Sequence, residues 1–120
     1  DPEKPAYLYR FTFRDGGESV QVFGITGDFK NRLQHYKGQI TNLTDIESIW
    51  FEVGADAQRF ESQIMTELAA SSATPSNIGV VGTARESFCI DEDGWEFMTV
   101  FEALWLSASK DAGSLVALVA

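Results

Sequence analysis

The sequence predicts an α/β protein of the α+β kind: a small β-sheet with helices packed against it. Three observations lead there. Two neighbouring segments alternate in side-chain character around a Gly-Gly turn, as the strands of a hairpin do. A third segment, Ile46 to Val53, is rich in β-branched and aromatic residues. Apolar residues elsewhere recur at helical spacing. The resulting order is β-β-α-β-α with a helical C-terminal addition, which is the pattern of one sheet covered by helices.

In the first strand, "YLYRFTFRD", Tyr7, Tyr9, Phe11 and Phe13 share one face and Leu8, Arg10 and Thr12 the other. "DGGE" is a turn signal, and "SVQVFGIT" resumes the strand pattern. Asp28 is placed to cap a helix over about Phe29 to Lys37, where Phe29, Leu33 and Tyr36 form an apolar stripe that Gly38 ends. After the loop "TNLTD" and the third strand, a second helix starts at Gly54 or Asp56 and runs to about Ala70. "SSATPSN" breaks it, and "IGVVG" and "ESFCI" are short segments of strand character. A last helix is expected over roughly Glu96 to Ser107, with Phe97, Phe101 and Leu104 on one face and Met98 and Trp105 beside them.

At 120 residues the chain has the length of one domain, and it needs no metal or disulfide to build a core. A single cysteine, Cys89, rules out an internal disulfide and fits a reducing compartment as a small buried hydrophobe. The formal net charge of −9 argues against tight non-specific binding to nucleic acid, which depends on Lys and Arg neutralising phosphates. "DPEKPAY" has neither the charged nor the apolar region of a secretory signal, and "LVALVA" is far too short to span a bilayer. The expectation is a soluble, cytoplasmic protein with no membrane partner.

Two side-chain arrangements stand out. Arg32 and Tyr36 lie one helical turn apart. Tyr36 belongs to the apolar stripe, and Arg32 sits at its edge, where a guanidinium can present its fork of donors to a phosphate. On the second helix Ala57, Phe60, Ile64, Met65 and Leu68 cover one apolar arc, and Glu61 falls inside it, whereas Arg59, Ser62 and Thr66 take the other side. A carboxylate on a buried face calls for an ion pair, a proton, a metal ion or a reach to water. His35, the only histidine, lies off its helix stripe, and no His/Cys set has zinc-ligand spacing. Neither a phosphate-binding glycine loop nor a nucleophile elbow is present.

Taken together, these segments resemble the GIY-YIG nuclease superfamily. "YLY" (Tyr7–Tyr9) and "VFG" (Val22–Gly24) stand where the two name-giving motifs stand, "ITGDFKNRLQHY" looks like the turn and helix after them, and "QRFESQIMTEL" matches the helix with the metal-binding glutamate. "ARESFCID", with Glu86 and Phe88, is similar to the "EWF" element of a phage- and bacteria-borne subgroup. The similarity covers about residues 6–90, and residues 91–120 form a C-terminal helical extension outside it.

The resemblance implies a metal-dependent endonuclease domain that hydrolyses DNA phosphodiester bonds with one Mg²⁺ or Mn²⁺ ion. Tyr9, Arg32, Tyr36 and Glu61 would be the catalytic set, with Glu61 as metal ligand, Arg32 as phosphate clamp and Tyr36 as its helper. Tyr7, Arg10, Lys30 and Asn77 would bind substrate. Of the nine basic residues, Lys30, Arg32 and Lys37 are on the first helix and Arg10 and Arg14 on the hairpin, so a small phosphate-facing patch is expected on an acidic body. Val22 replaces the tyrosine of the second motif. That change and the acidic composition support the alternative: a catalytically inactive GIY-YIG-fold binding or regulatory module, with a protein partner or a further domain supplying what the acidic chain lacks.

Overall fold

The computed structural model describes residues 2–75 and 86–118, and the backbone alone for 117 and 118. Its elements are β1 (Ala6–Asp15), β2 (Glu18–Thr26), α1 (Phe29–Lys37), β3 (Thr44–Phe51), α2 (Gly54–Ala70), β4 (Ser87–Cys89), α3 (Glu92–Ala112) and β5 (Val116–Leu118). The architecture is the expected mixture of sheet and helices. Five strands in the order β4-β2-β1-β3-β5 pair antiparallel throughout. The hairpin and third strand of the sequence reading form its centre, and the two short strands β4 and β5 extend it on either side. "ESFCI" supplies β4, while "IGVVG" lies outside the described residues.

The hairpin closes through Gly16, whose φ of 63° is the left-handed conformation a two-residue turn requires. Its register pairs Tyr9 with Gly24 and Phe11 with Val22. Strand alternation then sorts the core into two layers. On one face Tyr9, Phe11, Phe13, Val20, Val22 and Ile46 pack against Phe29, Leu33 and Tyr36 of α1. On the other, Leu8, Phe23, Ile49, Phe51 and Phe88 pack against Phe60 and Ile64 of α2 and Phe97, Phe101 and Trp105 of α3. The sheet is therefore a partition, with α1 on one side and α2 and α3 on the other.

α1 spans the residues expected for it, and the Asp28 side chain caps it by accepting from the Asn31 N–H at 3.1 Å. α2 likewise starts at Gly54 and ends at Ala70. α3 differs from the sequence reading in two ways. It begins four residues earlier, because Asp91 caps it by accepting from Gly94 N–H at 2.9 Å, and it continues to Ala112, where Gly113 in the left-handed conformation ends it. Its buried stripe is Phe97, Phe101, Trp105 and Ala108, so Trp105 rather than Leu104 faces the sheet, four residues on from Phe101.

Gly94 is required by this capping turn. A Cβ there would stand 1.9 Å from the Cys89 carbonyl oxygen, a backbone atom held by β4. Gly94→Ala should destabilise the protein by at least about 2 kcal/mol, since the start of α3 must move off the sheet to relieve the overlap. Urea denaturation of the two proteins, with the slope unchanged and the midpoint lowered, checks this.

Candidate functional site

The geometry begins at Gly24. β1 and β2 pair so that Tyr9 stands directly opposite Gly24, and the Tyr9 ring lies across the space where a side chain would be: a Cβ on Gly24 would be 2.5 Å from the Tyr9 hydroxyl oxygen. The ring leans over β2, and its hydroxyl meets the Tyr36 hydroxyl from α1 at 2.9 Å. Both rings are buried. Phe29 lies 5.7 Å from the Tyr9 ring, and Phe11 packs edge-on at 4.8 Å from Tyr36, so the two phenols are clamped by aromatic contacts as well as by their hydrogen bond.

Arg32, half-buried on the turn of α1 before Tyr36, brings its guanidinium to the same two hydroxyls. Burial works against its charge. The Tyr9 and Tyr36 hydroxyls outweigh that, and the arginine is held above its ordinary pKa. The same contacts act on Tyr9. Burial is the largest cause pushing its pKa far above that of a free tyrosine, Tyr36 adds to the rise, Arg32 opposes it, and the carboxylate of Glu86 raises it further. Glu86 is the residue immediately before β4. The register sets Ser87 opposite Val22, which brings Glu86 to the stretch of β2 that leads into Gly24.

The structure thus brings together Tyr9, Arg32 and Tyr36 of the expected residues. Tyr7 is on the same face, 6.1 Å from the Phe29 ring, and Lys30 is exposed on α1. Glu61 is half-buried on α2, in the apolar arc as its spacing indicated, and α2 packs on the opposite face of the sheet from α1. Asn77 lies outside the described residues. Glu86, noted in the sequence only for its place in a short motif, is the carboxylate that acts on Tyr9. A glycine inside a strand pattern was the signal for the close approach at Gly24.

Arg10 requires a correction. It was expected among the substrate-binding residues, but alternation along β1 points it to the face opposite Tyr9, where it is 6% exposed beneath α3. Nη1 donates to Glu102 Oε2 at 2.7 Å and lies 3.6 Å from Glu47 Oε1, while Nη2 donates to Gln21 Oε1 at 3.0 Å and also to Glu102. The guanidinium lies over the Phe101 ring at 4.7 Å. Its charge is committed to fastening α3 to the sheet. Arg14 follows the same alternation, so neither arginine of the hairpin joins the patch on α1.

Among the described residues no three His, Cys, Asp or Glu side chains gather to hold a metal ion, and no helix is long and apolar enough to cross a membrane. A donor set of one or two carboxylates suits a hard cation that keeps most of its waters, and not a zinc ion. Comparison of the chain with protein families, curated proteins and solved structures finds no match.

Two outcomes follow from the Tyr9 contact. Gly24→Ala should cost about 1–3 kcal/mol, because the Tyr9 ring has to leave its place over β2 and gives up the bond to Tyr36; thermal unfolding of the variant measures it. The second concerns pH. Tyr9 resists ionisation when folded and ionises near pH 10 when unfolded, so its contribution is complete below about pH 10 and falls as pH rises above that. Denaturation midpoints between about pH 9 and 11 should fall more steeply in the native sequence than in Tyr9→Phe.

Proposed function

We propose that this protein is a GIY-YIG-type phosphodiesterase, a metal-dependent endonuclease domain acting on DNA. The observation that supports this reading is the convergence of Tyr9, Tyr36 and Arg32 above a glycine of the partner strand, with the two hydroxyls 2.9 Å apart. These residues come from a strand and a helix, and they form a compact set of hydrogen-bond donors with one fixed positive charge. The part-exposed member, Arg32, held by the two buried hydroxyls, suits a phosphate oxygen that gains charge in the transition state.

In this reading Arg32 binds and orients the scissile phosphate. Tyr9 and Tyr36 are buried and act through Arg32: their hydroxyls hold its guanidinium in place, and the aromatic packing around them removes water from one side of it. Burial keeps Tyr9 protonated at neutral pH, so its part is that of a donor. Glu86 is the carboxylate whose charge reaches Tyr9, whereas Glu61, the metal ligand that the resemblance implies, is on α2 across the sheet, so the two do not form one donor set for a Mg²⁺ or Mn²⁺ ion beside Arg32. When bound, the ion would supply Lewis-acid stabilisation of the phosphoryl oxygens.

A second reading, a non-catalytic binding module with the same fold, is favoured by one observation. Val22 stands where the family has its second tyrosine, and here it is a core residue of the α1 layer, 4% exposed. The valine therefore contributes packing, and no hydroxyl replaces it at that position.

The two readings separate in one experiment. Supercoiled plasmid and single-stranded DNA are incubated with the protein and Mg²⁺ or Mn²⁺, then with EDTA. Metal-dependent nicking is expected. Arg32→Ala should lower its rate by about 10²–10³-fold, the usual loss on removing a preorganised donor to a developing oxyanion. Glu61→Ala and Glu86→Ala, assayed across metal concentrations, identify the carboxylate that holds the ion. Salt-sensitive DNA binding with no cleavage under any metal would replace the nuclease by the binding module.

A further inference from the structure

The face of the sheet that carries α2 and α3 is only partly covered. Beyond Arg10, at the hairpin end, the first half of α3 overhangs an open groove of about 1070 Å³ between itself and the ends of β1 and β3. No residue of this groove belongs to the proposed phosphate site, which lies across the sheet, and the groove's α3 wall comes from the C-terminal extension that the GIY-YIG resemblance leaves unexplained. Its rim carries Trp95, which is 64% exposed, and Met98 is in the wall one turn further along α3. A tryptophan this exposed, beside a concave surface, marks an interaction site far more than a scattered surface residue does.

The polar lining gives the occupant its sign. Asp45, Glu47 and Glu102 bring three carboxylates, against Arg10 and Arg14. The lining as a whole keeps a small negative excess, three carboxylates against two arginines, and Arg10 is buried with its charge offset by Glu47 and Glu102. Both of those carboxylates still present an exposed edge: the Glu102 side chain is 51% exposed and that of Glu47 is 27%. Glu92, one turn before Trp95, is exposed too. An indole flanked by carboxylates attracts a cationic side chain twice, through the ring face and through the negative field around it.

We infer that this groove docks a basic, partly apolar segment of a partner protein, with a lysine or arginine of that segment over Trp95 and its apolar residues along Ile90 and Met98. The inference needs no part of the nuclease reading. A partner of this charge would also suit an acidic chain that has few cations of its own to offer nucleic acid.

The test uses calorimetry on the whole chain with a short synthetic peptide rich in lysine and arginine with interspersed leucine. Its glutamate counterpart and a single-stranded oligonucleotide serve as controls. Saturable binding of the basic peptide is expected, weakening as salt is raised from about 0.1 M. Two exposed positions are then changed. Trp95→Ala should weaken binding by about fivefold or more. Arg14→Glu, which removes a positive charge from the rim and adds a negative one, should tighten it by several-fold at low salt. The proposal is overturned if the basic peptide does not bind saturably, or if both variants bind as the native chain does. It is also overturned if Arg14→Glu weakens binding while the oligonucleotide competes for the groove, which would make the ligand an anion. Because no cleavage is measured, loss of the nuclease reading would leave each of these results as informative as before.

Discussion

Tyr9 can lie over the second strand only because residue 24 has no side chain. The pairing of β1 with β2 puts the two residues opposite one another, and the space a Cβ would need is taken by the phenol itself. Everything on the α1 face is arranged around that contact. The ring's lean sets where its hydroxyl ends, the hydroxyl sets where Tyr36 must sit, and Tyr36 sets the rotation of α1 about its axis. Arg32, one turn earlier on that helix, then arrives beside both oxygens. A helix rotated by one residue, about 100°, would carry the arginine away from the sheet edge and leave two buried phenols without partners.

The same strand that builds this site builds its opposite. Arg10 follows Tyr9 in sequence, and the pleat alone sends it through to the other layer, where two carboxylates and Gln21 meet it beneath α3. A guanidinium buried to this extent is costly unless its donors are met, and the contacts around it meet most of them. This explains how consecutive residues of β1 serve unrelated ends. One belongs to a buried hydroxyl cluster beside Arg32, and the next is a structural rivet for the C-terminal helix.

Periodicity made much of this legible in advance. The hairpin, α1 with its Asp28 cap, the span of α2 and the half-buried place of Glu61 all follow from local signals that the tertiary structure respects. Arg10 was misplaced because its basic character was weighed without its parity, although the alternation Tyr9–Arg10–Phe11 already assigned it to the other face. The start of α3 was set too late because Gly94, a poor helix former, stands in what proves to be its first turn; the glycine is there for the close approach to Cys89, and the cap is Asp91 before it. The proximity of Glu86 to Tyr9 had no local signal at all. It depends on which strand β4 joins, and a three-residue strand gives the sequence too little pattern to specify its neighbour.

The net charge of −9 looks like an objection to any phosphate-binding role, and the layered architecture reduces it to a question of distance. α1 carries Lys30, Arg32 and Lys37 and has no acidic residue in its first turn. The carboxylates of α3 lie on the far side of the sheet, and two layers packed on opposite faces are separated by roughly 20 Å, twice the usual layer spacing. That exceeds the screening length of about 8 Å at physiological ionic strength, so the field at Arg32 is set mainly by α1 and the two hydroxyls it meets, and little by the acidic body behind the sheet. The overall charge acts instead on the encounter: an acidic protein is steered away from DNA and toward basic surfaces. The chain is thus divided, cationic at one helix and anionic across the opposite layer, so the proposed phosphate contact and the proposed basic partner are asked of different faces.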